Sequence, residues 1–227
     1  MSTVERPAVI PLVAGLRMTR SEFHEAYEAM PPGFWAELIG GVVYVSSPVK
    51  NLHAIVSALA VVWLSLYKFR TPGLMVGDNG STVLDDDNEV QPDAMMCILP
   101  DRGGQTTVIN GLIQGAPELV IEVAWSSRAI DLGVKKIEYE KARAREYLVF
   151  AIGPDEVFWH VLEADRLVRI EPDADGIYRS KVFPGLWLDP VALYADDGPA
   201  MVATLERGLG SEEHARFVAE LNARKKR

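Results

Sequence analysis

The 227-residue chain has one cysteine, Cys97, so no intramolecular disulfide framework holds it together. No run of about 18 apolar residues stands out as a membrane span. Its first residues, MSTVERPAVIPLVAG, place two prolines and a glutamate where a secretion signal needs a cationic start and an apolar stretch. Residence in the cytoplasm, without a membrane, is the expectation. There is also no Gly-rich phosphate loop, dinucleotide fingerprint, paired-cysteine motif or serine-nucleophile elbow. Those absences argue against kinases, dehydrogenases, zinc modules and serine hydrolases, and no organic cofactor is expected. Internal repeats and low-complexity linkers are missing as well.

What remains is enough for a core. Hydrophobic residues make up 48% of the chain, which at this length can bury a substantial interior. The formal charge of -9 argues against a broad nonspecific nucleic-acid coat, because phosphate contacts usually supply such affinity. A local basic groove stays possible. Positive charge collects at Lys135, Lys136, Lys141, Arg143 and Arg145, and again at Arg224, Lys225, Lys226 and Arg227, the latter reading as a solvated face.

Hydrophobic spacing and turn residues set out the elements. Thr19 followed by Glu22 has capping-box spacing and predicts a helix over about 20–29, ended by Pro31, Pro32 and Gly33. Gly40-Gly41 between Phe34–Ile39 and Val42–Val45 predicts a hairpin. Leu52, Ile55, Val56, Leu59, Val62, Trp63 and Leu66 recur at helical spacing, so 51–68 is a helix with one buried face. Strands follow over 74–84 and 90–98 around the acidic turn Asp85 to Asn88, then a long loop over about 100–116. Glu118 to Ala124 is a short apolar strand of the kind buried on both faces. A helix over 131–144, strands at 146–152, 156–163 and 167–170, an extension of the sheet or a loop-rich appendage at 172–190 and closing helices at 198–208 and 211–224 complete the chain, the last capped by Ser211.

Glu122 lies in the middle of that apolar strand, where an ionised carboxylate must be paired, hydrogen-bonded, protonated or bound to a metal. Asp93, after Gln91-Pro92 at the head of a neighbouring strand, is its companion, since two carboxylates on adjacent strands can share a hard cation. Leu132, Lys135, Tyr139 and Ala142 fall on one helical stripe, which turns Lys135 inward. A lysine beside a metal-bound water and a phosphate suits phosphodiester hydrolysis. The competing reading is a buried Glu122–Lys135 ion pair with a structural role only.

Taken in order, Glu37-Leu-Ile-Gly-Gly41, Ser47-Pro48 with His53, Gln91-Pro92-Asp93, Glu118-Leu-Val-Ile-Glu-Val123, Ser126-Ser127, Asp131-Leu-Gly-Val-Lys135, Tyr139 and Arg145-Glu-Tyr147 resemble the Uma2 family of putative restriction endonucleases, within the PD-(D/E)xK nuclease superfamily. The resemblance spans residues 17–195, leaving 1–16 as an N-terminal extension and 196–227 as a C-terminal helical one. It implies an α/β fold with a restriction-endonuclease-like core: a central mixed sheet flanked by helices, with extra C-terminal helices. It further implies a magnesium or manganese site on Asp93 and Glu122, Lys135 as the catalytic lysine, Glu37 as a further site residue, DNA as substrate, and a homodimer able to cut both strands. The superfamily's lysine two places after the glutamate falls on Ala124, so Lys135 has to take that part. Secondary candidates carry plainer readings beside the functional one. Asp131 reads as a helix cap. His53 reads as a structural histidine, and Ser126 and Ser127 as the junction between a strand and a helix. A noncatalytic DNA-binding or protein-interaction module on the same fold is the alternative function.

Overall fold

A computed structural model describes residues 11–46 and 50–225; Ser47-Pro48, Lys226, Arg227 and most of the N-terminal extension lie outside them. Two six-stranded sheets form the body. The larger runs β12-β11-β10-β9-β6-β3 and is mixed: β9 (Leu119–Ala124) and β10 (Glu146–Ala151) are parallel, while β3 (Leu74–Gly77), β6 (Ala94–Ile98), β11 (Glu156–Glu163) and β12 (Arg166–Ile170) join antiparallel. The smaller runs β2-β1-β5-β4-β8-β7, built from β1 (Ala36–Ile39), β2 (Val42–Val45), β4 (Thr82–Asp85), β5 (Asn88–Val90), β7 (Thr107–Ile109) and β8 (Leu112–Gln114).

Three expectations are thereby corrected. The stretches 74–84 and 90–98 are not single strands: 74–84 divides into β3 and β4 where Asp78, Asn79 and Gly80 bend the chain, and 90–98 divides into the end of β5 and β6 around Pro92, each pair lying in different sheets. The stretch 100–116 is not a plain loop: a 3-10 turn (Pro100–Arg102) and the β7–β8 hairpin occupy it, with Asn110 and Gly111 at positive φ. The first hairpin forms as its sequence predicts, with both Gly40 and Gly41 in the left-handed region that a tight two-residue turn requires.

Strand alternation divides the core. On the larger sheet, Leu119, Ile121, Val123, Leu148, Phe150, Val157 and Trp159 face helix α2 (Asn51–Arg70), and the C-terminal elements join them there. Val120, Ala124, Tyr147 and Val149 face the other way, toward Ile39, Val90 and Tyr139 of the smaller sheet and the helix after β9. Helix α1 (Arg20–Glu28), started by the predicted Thr19–Glu22 capping box, covers the outer side of β1 and β2 with Phe23 and Ala26.

By length and composition α2 reaches the threshold for crossing a membrane. One face of it packs into the core: Val56, Ala60, Trp63, Leu64 and Tyr67 are buried, the Trp63 indole donates to the Trp187 carbonyl at 2.9 Å, and the Tyr67 hydroxyl donates to the Pro184 carbonyl at 2.8 Å. A short pair, β13 (Tyr178–Arg179) with β14 (Trp187–Leu188), and α5 (Pro190–Tyr194) lead into α6 (Gly198–Leu209) and α7 (Glu212–Arg224). Met201, Leu205, Leu209, Phe217 and Leu221 of these last helices enter the same core as α2. Ser211 caps α7 as expected.

Glu146, at the start of β10, fastens the C-terminal segment to the sheet. It accepts from the Ser180 hydroxyl at 2.6 Å and from the Lys181 and Val182 amides at 2.7 and 3.3 Å. Burial pushes its carboxyl up to about 7, although those hydrogen bonds act in the opposite direction. An unfolded chain releases this proton near the ordinary value of 4.5 while the folded chain keeps it. Stability therefore falls as pH rises from about 4.5 to about 7 and levels off above. Urea titrations of wild type and Glu146→Gln across pH 4.5–8 check this: the variant's stability should decline less steeply over that window, and parallel curves would refute the assignment.

Candidate active site

Period-2 alternation brings the principal acidic candidates together. On β1, Ala36 and Leu38 pack against α1, so Glu37 and Ile39 face the larger sheet. On β9, Glu122 lies between Val120 and Ala124, which face the smaller sheet, so Glu122 looks toward Glu37. Asp93 immediately precedes β6, the antiparallel neighbour of β9, and its Oδ2 accepts from the Val123 amide at 2.7 Å. The adjacent-strand expectation for Asp93 and Glu122 is met.

Lys135 closes the cluster from the helical side. After β9 the chain passes through Ser126 and Ser127 into α3 (Arg128–Ile130), a π-helical turn (Asp131–Lys135) and α4 (Lys136–Lys141). The turn is broken at Gly133, whose φ of -106° and ψ of -110° lie outside the helical region. Such irregular turns re-aim side chains, and here both Asp131 and Lys135 are buried. The Lys135 Nζ lies 2.9 Å from Glu122 Oε2 and 2.8 and 3.0 Å from the two carboxylate oxygens of Glu37. The Gln91 amide donates to Glu37 Oε1 at 2.6 Å and fixes that carboxylate in turn.

Asp131 does not cap a helix. It sits within the helical segment, four residues after Ser127, with its side chain buried, while its carbonyl accepts from the Tyr147 hydroxyl at 2.8 Å. Ser127 occupies the N-cap position of α3 and Ser126 is exposed, so these serines do form the strand-to-helix junction. His53, in the first turn of α2, places Nε2 3.5 Å from Asp93 Oδ2.

The electrostatics are lopsided. Burial pulls the Lys135 ammonium down, but Glu122 and Glu37 outweigh it and hold its pKa well above the ordinary lysine value, so Lys135 is a cation. Burial raises Glu122 well above the carboxylate range; Lys135 opposes this, while Asp131, Glu37 and Asp93 add to it. Burial likewise brings Asp131 up to about 6. At His53, burial acts downward, yet Asp93 and the more distant Asp131 leave the imidazole above its usual value. Lys135 thus contacts two carboxyl groups, those of Glu122 and Glu37, with Asp131 and Asp93 further out, and Glu122 Oε1 is buried without any hydrogen-bond partner.

Glu122 and Lys135 are 3% exposed, whereas Glu37, Asp93 and His53 keep side chains 15–18% exposed and form the opening to solvent. Sequence reasoning missed the Gln91 amide and the Tyr139 hydroxyl, which is buried beside the charges without a partner. Backbone donors carry no signature in residue type. The Tyr139 position on the Lys135 stripe was the available signal for the second. The anticipated basic cluster is largely neutralised: Lys141 pairs with Glu138 and Arg143 with Asp165, and Lys135 is internal.

Residues 21–191 match the Uma2 family, whose description is putative restriction endonuclease. The chain belongs to the Uma2 family. A solved structure described as a putative nuclease belonging to DUF820, from Anabaena variabilis ATCC 29413, superposes with a TM-score of 0.54 at 17% identity, covering 78% of this chain and 98% of that one. At that identity the likeness establishes the shared fold, mixed β-sheets flanked by helices with helices at the C-terminus. No curated protein matches this Uma2 chain significantly.

The buried ion pair separates the contributions of its partners. Lys135→Met leaves Glu37 and Glu122 facing each other without a cation, and a loss of about 3–5 kcal/mol is expected for breaking such a pair from one side. Glu122→Gln leaves Lys135 its Glu37 partner and should be clearly milder. Denaturant midpoints at unchanged m-value check the order, and equal losses would show that Glu37 does not share the lysine.

Proposed function

We propose that this Uma2 protein is a metal-dependent endodeoxyribonuclease, hydrolysing DNA phosphodiesters with Asp93, Glu122, Lys135 and Glu37 as its working residues. The observation that carries the reading is the unsatisfied acid at the centre of the cluster: Glu122 shares the Lys135 ammonium with Glu37, and its buried Oε1 has no partner. Uncompensated buried charge is costly, so such a cluster takes up protons or a cation. The carboxyl donors of Asp93 and Glu122 are hard oxygens, which fits magnesium or manganese. Among the described residues no group of three or more histidine, cysteine or acidic side chains is placed to hold a metal ion. That accords with magnesium, which keeps several waters and takes only one or two carboxylates.

Asp93 and Glu122 would hold the ion, Glu122 through its unpartnered Oε1. When bound, the ion would acidify a water and polarise the phosphoryl group. The chain's own contributions follow from its geometry. Lys135, permanently charged, is unsuited to accept a proton and instead offsets the negative charge that grows on the phosphoryl oxygens. Glu37 keeps that ammonium in place, and the Gln91 amide keeps Glu37 in place. The Val123 amide fixes Asp93 Oδ2, leaving Oδ1 for other contacts.

Since Lys135 also holds the fold together, the mild variants Glu122→Gln and Asp93→Asn are the ones to assay. Both should keep the wild-type circular dichroism and lose at least about 100-fold in magnesium-dependent cleavage, the order of one electrostatic catalytic group. Cleavage at wild-type rate in both would refute the mechanism and leave the cluster as an ion-pair device of the fold.

Proton uptake supplies a separate test. Asp131, with a pKa of about 6, and Glu122 hold protons that a cation must displace. Thermal shifts with magnesium, manganese and calcium should therefore be largest near pH 8 and shrink below pH 6. A shift independent of pH, or unchanged in Asp93→Asn, would place the ion elsewhere.

A further inference from the structure

Every residue of β9 from Leu119 to Ala124 is buried, and the next residue, Trp125, is 38% exposed. Trp125 follows Glu122 by three residues, about 10 Å at most of extended backbone. Lys50, the N-cap of α2, stands over it with Nζ 4.7 Å from the ring centroid. Lys50 and His53 lie three apart at the start of the same helix and so share a face. His53 in turn reaches Asp93 at 3.5 Å, which puts the Lys50–Trp125 pair beside the opening of the acidic cluster.

The charge pattern around this rim singles Lys50 out. Arg128 and Arg169 both lie over the Phe158 ring, but Glu156 binds each guanidinium and Glu171 takes Arg169 as well. Among the described residues, Lys50 has no carboxylate within 4 Å and its one close partner is the indole. A cation held only over an aromatic face keeps its charge available for an anion, and the ring keeps its apolar face available for a planar group. A nucleotide offers both, a phosphate and a planar base joined through its sugar.

We infer that Trp125 and Lys50 form a nucleotide clamp at the site mouth, the indole stacking a base and the ammonium meeting its phosphate. This rests on the endonuclease reading and specifies its substrate: DNA whose bases are unpaired next to the bond to be cut. In an intact duplex both faces of an internal base are covered by its neighbours, so an exposed indole gains nothing from it. In a single strand each base offers a free face. The clamp also accounts for DNA recognition by a chain of charge -9, since stacking does not draw on net charge.

The test measures binding apart from cleavage. Fluorescence anisotropy of a labelled single-stranded oligodeoxynucleotide, its duplex and the same RNA strand is read with calcium in place of magnesium, and again with chelator. Single-stranded DNA should bind more tightly than the duplex. Trp125→Ala should weaken it on the order of 10-fold, the contribution of one base stack, while Trp125→Phe retains most of the affinity. Lys50→Ala should flatten the salt dependence. Quenching of tryptophan emission by the unlabelled strand, lost in Trp125→Phe, reports the stack directly. Tighter binding of the duplex or of RNA, wild-type affinity in Trp125→Ala, or no binding of any strand would each overturn the clamp. Trp125-dependent binding with no cleavage under any metal would instead leave the clamp standing and remove the nuclease reading beneath it.

Discussion

The ammonium of Lys135 is the point on which the rest of the arrangement depends. It comes from the irregular helix after β9, contacts Glu122 on the larger sheet and contacts Glu37 on the smaller one. Three separately built parts of the molecule are thus joined at a single buried charge. Apolar packing fixes the distance between the sheets through Ile39, Val90, Val120, Ala124 and Tyr139, but it is indifferent to small sliding. A charge with partners at 2.8–3.0 Å on both sides is not. The ion pair specifies the register of the two sheets, a use of buried polar groups attested where one charged or polar side chain selects among nearly equivalent packings.

The same cluster is built to remain unsatisfied. A fold optimised for stability alone would match one lysine with one carboxylate, as Glu118 and Glu146 are matched elsewhere by backbone amides and a hydroxyl. Around Lys135 the acids outnumber the base, and Glu122 Oε1 has nothing to accept from. Perturbed carboxyls beside an opening are what a functional site requires, and local strain of this kind is usually supported by ordinary packing around it. Here the surrounding strands are buried throughout, and the helix is held by Tyr139 and Tyr147, whose rings lie 5.2 Å apart.

How much of this was legible follows from the kind of signal each feature leaves. Glu122 was visible because a charged residue in a run of Leu, Val and Ile is expensive, and Lys135 because it falls on a helical stripe with Leu132, Tyr139 and Ala142. Thr19 with Glu22, and Gly40 with Gly41, announced their helix and turn by local chemistry that needs no tertiary context. Glu37 was harder: its role depends on two sheets facing each other, and nothing in the residues distinguished one sheet from two. The β7–β8 hairpin escaped because its three-residue strands are too short to show alternation, and all three β7 residues are exposed. Asp131 misled because aspartate at the start of a helical stripe ordinarily caps; the chain had already entered the helix at Arg128 and then distorted at Gly133.

That distortion also bears on the displaced lysine. Position 124 points to the same side of β9 as Glu122, so a lysine there would approach the carboxylate along its own strand. Ala124 is fully buried and packed in the core between the sheets, where a long cationic side chain would need room that Tyr147 and Tyr139 occupy. Lys135 delivers its ammonium to Glu122 from the opposing helix, and so leaves the strand end small. A small residue at 124 lets the chain turn at once into Trp125, which emerges at the surface and not in the core. Lys135 therefore supplies a cation beside Glu122 from the helix, while Ala124 packs in the core and Trp125 is exposed.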